Sequence, residues 1–201
     1  MTGRKVGIGL GLREWREAMV LLSDEFVAGF QEVSGYLPGD HRVCLVSAQE
    51  GAAAVAALGR EGIAGSLLEF YAQLGSVCLP DLEAGIWIDD AASLISQVEA
   101  GNYPRLLAGA IDDGVSVFAT DGGGGMYAVS HSSGCVYHLT LGALTGSTYD
   151  VEEAGCTVTA TSLTAFLHRL RDRLAHAVGE QRASLNQQGG EEGSSRKRGN
   201  R

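Results

Sequence analysis

Apolar positions recur at helical spacing near both ends of the chain and at strand spacing in between. Trp15, Met19, Leu22, Phe26, Phe30 and Val33 follow one another at steps of three and four, the period of one helix face. Gly35 and then Pro38 end that run. Towards the other end, "TSLTAFLHRLRDRLAHAVG" puts Leu163, Phe166, Leu167, Leu170, Leu174 and Val178 on one stripe. Thr161 or Ser162 can cap its start and Gly179 can close it, so a terminal amphipathic helix lying on a flat surface is expected. After the first helix, "RVCLVS" predicts a short strand. "SAQE" at Ser47 to Glu50 has the spacing of a capping box, in which Ser and Glu side chains each accept from the other residue's N–H, and it opens the Ala-rich "GAAAVAALG". "SLLE" at Ser66 to Glu69 repeats the signature and predicts a helix through "LLEFYAQLG" that stops at Gly75. "AGIWIDD" predicts a strand around Trp87, with Asp89 or Asp90 capping the helix "AASLISQVEAG".

The period then changes. "VSVFAT", "MYAVS" and "CVYHLTL" are short β-rich runs joined by "DGGGG" and "HSSG". Loops this tight join antiparallel neighbours, because a parallel pair needs a crossover of about a dozen residues or more. The pattern predicts an α+β fold, an antiparallel β-meander flanked by helices. Three segments are expected: an N-terminal helical segment over 1–40, an α+β domain over 41–179, and a tail over 180–201. The tail has one leucine, no aromatic residue and much Gly, Ser and Gln, so it is expected to be disordered.

The run "DGGGG" at Asp121 to Gly125 raises the question of a phosphate site. A phosphate-binding loop leads from a strand into a helix, whose N-terminus supplies N–H donors. This one leads into a strand, and it lacks both the Lys-Ser/Thr ending of a P-loop and the GxGxxG spacing. A hairpin needing positive φ explains the glycines, and the alternating Gly7, Gly9 and Gly11 have no acidic ribose partner after a second strand. His131, Cys135 and His138 lie close in sequence, but strand alternation puts Cys135 and His138 on opposite faces. No GxSxG or HExxH occurs. The expectation is a chain that is not an enzyme and uses no metal and no cofactor.

Composition narrows the setting. Cys44, Cys78, Cys135 and Cys156 are scattered singly, which favours a reducing cytoplasm over a disulfide framework or a zinc knuckle. "VGIGLGL" after Arg4 and Lys5 is too short for a signal peptide and runs into "REWRE", and no stretch reaches the ~18 apolar residues of a membrane span. The formal net charge is −9, of which the tail from Glu180 contributes +2, leaving −11 on the first 179 residues. Such a body repels nucleic acid and attracts basic partners. Its acidic residues gather at element ends: Asp81 and Glu83, Asp89 and Asp90, Asp112 and Asp113, Asp121, then Asp150, Glu152 and Glu153. Caps and turns favour Asp, yet loops also place it where a partner can reach it. Asp89, Asp90, Asp112, Asp113 and Asp121 are the candidate partner-binding residues.

"EFYAQLGSVCLPDLEAGIWI", then "VSVFATDGGGGMYAVSHSSGCVYHL", then "LTAFLHRLRDRL" resembles the SUKH superfamily of Smi/Knr-type domains. The matching features, in order, are the aromatic pair Phe70 and Tyr71, the turn Leu79 to Asp81, and the glycine turn Asp121 to Gly125. The strand pair Val136 and Tyr137 and the terminal helix around Phe166 and Leu167 complete it. The match runs from about Ser66 to Leu174, roughly half the chain. The resemblance implies a non-enzymatic α+β domain that binds other proteins. In bacteria such domains serve as immunity proteins that neutralise a toxin, a basic nuclease among them; the alternative is a regulatory or scaffold module with no toxin partner.

Overall fold

The computed structural model describes residues 8–196. Helix α1 (Ile8–Ser34) buries Trp15, Met19, Phe26 and Phe30, while Val33 at its end is partly exposed. It packs along helix α5 (Leu163–Arg196), whose predicted stripe is buried at all six positions. The Trp15 indole N–H donates to the Leu167 carbonyl, so the one polar atom of that ring has a partner inside the core. Ser162 caps α5 by accepting from the Ala165 N–H at 3.1 Å.

Gly179 does not end α5, and the disorder expected from residue 180 is not what the chain does: the helix runs on to Arg196. Gln181 is buried, and its side chain lies over Gly29, where a Cβ would stand 3.1 Å from the Gln181 Oε1. Arg182 pairs with Glu25. The tail's one leucine, Leu185, is half-buried, and packing on α1 supplies the support that composition alone does not. Residues 197–201, the rest of the predicted tail, lie outside the described residues.

Strand β1 (Arg42–Leu45) leads to helix α2 (Ala48–Arg60), where the predicted box forms. The Glu50 N–H donates to Ser47 Oγ at 3.3 Å, and the Ser47 N–H donates to Glu50 Oε2 at 2.8 Å. The second predicted box does not form. Helix α3 (Ser66–Tyr71) is capped by Gly65 at φ +67° with no side-chain bond, and it ends four residues before Gly75. Leu74–Leu79 is strand β2, which buries Leu74, Val77 and Leu79 between β1 and strand β3 (Ile86–Ile88). Pairing on both sides prevailed there over the helical pattern. Helix α4 (Ala91–Glu99) follows, capped by Asp90.

The rest is sheet: β4 (Leu106–Gly109), β5 (Asp113–Asp121), β6 (Met126–Ser130), β7 (Val136–Leu139), β8 (Gly142–Thr145), β9 (Thr148–Val151) and β10 (Cys156–Ala160). The predicted meander is β5-β6-β7, within the order β1-β2-β3-β5-β6-β7-β10. A wing of β4, β9 and β8 branches from β5, and the β4–β9 pair is parallel, the one departure from antiparallel pairing among the described residues. The fold is α+β, as expected.

The sheet separates two apolar clusters. Tyr127, Val129 and Val136 join α1, α3 and α5 in the larger one, while Val115, Val117, Tyr137 and Leu139 join Tyr103, Leu107 and Tyr149 in the smaller. β5 crosses between them through a bulge: Val117 pairs with Ala128 and Ala119 with Tyr127, leaving Phe118 as the extra residue against Phe166. No helix among the described residues is long and apolar enough to cross a membrane.

Candidate functional site

The glycine run is a hairpin turn between β5 and β6. Asp121 organises it: its Oδ1 accepts from the Gly123 N–H at 2.9 Å and the Gly125 N–H at 2.8 Å, and its Oδ2 meets His138 Nε2 at 2.7 Å. Gly124 sits at φ +83°. A Cβ at Gly122 would lie 2.2 Å from the Ala84 carbonyl oxygen, and one at Gly125 would lie 2.4 Å from His138 Nε2. The turn therefore needs glycine for conformation at one position and for close approach at two others. Its N–H groups at Gly123 and Gly125 are already given to a carboxylate of the chain itself.

Asp89, Asp90 and Asp113 are also bonded to groups of the chain itself. Asp90 Oδ1 accepts from the Ser93 N–H at 2.8 Å, the N-cap bond of α4. Asp89 accepts at Oδ2 from the Tyr103 hydroxyl at 2.5 Å, and its carbonyl accepts from the Tyr71 hydroxyl at 2.9 Å. Burial lifts the Asp89 carboxyl above its ordinary range, against the Tyr103 bond, which lowers it, and with the Asp90 charge, which raises it. Asp113 Oδ2 accepts from the hydroxyls of Ser130 at 2.5 Å, Ser132 at 3.0 Å and Tyr137 at 3.2 Å. Burial works to raise Asp113 and Asp121, but the bonds from Ser130, Ser132 and Tyr137, and from Gly125, His138 and Gly123, outweigh it and hold both below the usual carboxylate range. Asp112, next to the paired Asp113, is exposed.

These five do not form one patch. Asp113 and Asp121 stand at opposite ends of β5, roughly 26 Å apart at the rise of an extended strand. Asp89 lies between them, with its N–H on the Phe118 carbonyl.

Two histidine sites were not visible in the sequence. His41, its side chain wholly buried, meets Asp81 Oδ2 at 2.9 Å, and the Gly39 N–H donates to the same oxygen at 2.7 Å. That cluster ties the α1–β1 connection to the turn after β2, and His41 Nδ1 has no partner. His131 Nε2 lies 2.9 Å from Ser116 Oγ beside a groove of about 390 Å³ that also reaches Gly62 and Gly65. Ser–His contact is one part of a nucleophilic dyad, but Asp113, the carboxylate next to Gly114, whose carbonyl accepts from the His131 N–H, is bonded to three hydroxyls. Cys135 packs on the smaller cluster and His138 stacks on Tyr127 with ring centroids 4.5 Å apart, so the two lie on opposite faces, as alternation predicted. Among the described residues, no group of three or more His, Cys, Asp or Glu side chains is placed to hold a metal ion.

Charge is divided between the layers of the fold. From Glu61 to His168, a span that holds nine of the ten strands among the described residues, the chain carries thirteen Asp or Glu and one Arg or Lys. That single cation, Arg105, is paired with Glu61 at 2.8 Å. The other described arginines lie on α1, β1, α2 and α5. The wing adds bare apolar surface to the acidic side: Leu106, Leu141 and Leu144 are exposed beside Asp150, Glu152 and Glu153. No family model matches this chain, and neither does any curated protein or solved structure.

Proposed function

We propose that this chain is a non-enzymatic, cytoplasmic protein-binding domain of the SUKH kind, an immunity protein that holds a basic toxin through its acidic sheet body. The observation that carries the reading is the division of charge: thirteen acids against one paired arginine from Glu61 to His168, the span that holds β2 to β10. A body of one sign steers oppositely charged proteins towards itself and repels nucleic acid, and mixed acidic and apolar surface on the wing suits a protein contact. Of the candidate acids, Asp112 joins Asp150, Glu152 and Glu153 as the exposed set on this side; Asp90, Asp113 and Asp121 are engaged by the fold itself. A regulatory module of the same domain type, with no toxin, is the competing reading.

The test is capture on the immobilised full chain from a lysate of its source cells at low salt, followed by expression of the captured protein alone and together with this chain. The reading expects a basic protein that arrests growth alone and is tolerated in the pair. A captured protein that is harmless alone favours the regulatory module, and one of acidic character contradicts the charge argument.

A further inference from the structure

The sheet has three outer strands, β1, β10 and β8, and the first two are guarded. β1 carries Arg42 and its register slips between Cys44 and Leu45. β10 slips between Val158 and Ala160, and the Arg169 guanidinium of α5 donates to the Thr159 carbonyl. Charges and bulges are the means by which edge strands avoid recruiting further strands. β8 has neither. Its register against β9 is regular from Gly142 opposite Val151 to Thr145 opposite Thr148, and all four of its residues are uncharged and exposed.

The direction of its backbone groups follows from the turn. Gly146 and Ser147 form a two-residue loop with Gly146 at φ +60° and Ser147 at negative φ, the type II′ hairpin, which makes Thr145 and Thr148 a hydrogen-bonded pair. By alternation Ala143 bonds to Asp150, and Gly142 and Leu144 turn their N–H and C=O groups away from β9. Among the described residues no strand pairs with that side. Leu141 is 50% and Leu144 36% exposed, and Asp150, Glu152 and Glu153 are exposed on β9 and the turn after it.

We propose that β8 is where the partner docks, by adding an extended basic segment to the sheet along Gly142–Thr145. Backbone pairing supplies the bonds, apolar side chains on one face of the added strand cover Leu144, and Lys or Arg side chains on its other face meet Asp150, Glu152 and Glu153 beside Leu141. A second copy of this chain fits worse, because the same acids would face each other. The inference rests on the reading of a basic protein partner.

The probe is a short peptide of alternating lysine and valine, with a twin N-methylated at every residue so that charge is kept and pairing on either edge is lost. Both are titrated into the full chain at about 150 mM NaCl, with amide hydrogen exchange as the second readout. The unmethylated peptide should bind more than about tenfold more tightly and protect the Gly142 and Leu144 amides, and Leu144→Pro, tolerable on an edge, should remove the difference. If Leu144→Pro melts early, Leu144→Lys takes its place. Equal, salt-sensitive binding of the twins overturns the edge and leaves the acidic-body reading standing, whereas a salt-insensitive preference for the unmethylated twin upholds the edge and contradicts that reading. No binding of either peptide overturns the edge. So does a dimer in sedimentation that Leu144→Pro abolishes, since the occupant is then a second copy.

Discussion

Asp89 and Asp121 are carboxylates of one sheet with opposite pH behaviour. Asp121 is held below its ordinary range in the folded chain, as is Asp113, so each contributes stability that is full above the unfolded carboxylate value and lost as pH falls through the lowered one. Asp89 is raised, so its folded form keeps the proton more tightly, and its contribution is present at low pH and lost as pH rises through the raised value. A carboxyl-detected NMR titration should find Asp113 and Asp121 titrating below Asp89, with Tyr103→Phe moving Asp89 higher still. The reverse order would contradict the bonding described for all three. The glycines of the turn separate just as sharply. Gly125→Ala forces a Cβ into His138 and should cost about 1–3 kcal/mol in urea denaturation, and Gly124→Ala, at positive φ, about 1–2 kcal/mol. Gly123→Ala meets only Asp121 Oδ1 at 3.3 Å and should stay within about 1 kcal/mol of wild type. Similar losses at all three positions would mean the turn has another shape.

At the scale of elements, α5 makes the clearest demand. Leu170 is buried in its stripe, and Leu170→Ala should cost about 2–5 kcal/mol in urea denaturation. A chain ending at Gly179 loses Gln181 from its seat on Gly29 and the Arg182 pair with Glu25, and should melt about 2–8 °C below the full chain. Unchanged melting would mean that the helix past Gly179 adds nothing. These elements also divide what the sequence made legible from what it did not. The stripes of α1 and α5, the Ser47 box and the Asp90 cap depend on residues three or four apart, so local spacing revealed them. The start of β2 was hidden because Leu74 continues the helical spacing of Leu67, Phe70 and Tyr71, and only pairing with β1 and β3 makes it strand. β8 and β9, in "GALTGSTYDV", have few apolar residues to alternate, and β9 finds its second partner in β4, about forty residues away. The candidate acids were legible as residues at element ends, but their bonds were not: Asp113 with Ser130 and Tyr137, like His41 with Asp81, meets partners that only the folded sheet brings near.

For the whole molecule, the consequence of the charge division is kinetic. Attraction between an acidic body and a basic partner acts over a Debye length of about 8 Å at physiological salt, so it speeds encounter more than it slows escape. Asp112 and Glu152 are exposed, so Asp112→Lys with Glu152→Lys should slow association while leaving melting nearly unchanged, whereas reversing Asp113 would also break three hydroxyl bonds. The most direct test of the central claim is therefore the association rate constant of the captured partner with the full chain, followed from about 50 mM to about 500 mM NaCl. The account predicts a fall of about tenfold or more, a much smaller change in dissociation, and a shallower dependence for the double variant. An association rate that ignores both salt and the two reversals would contradict it.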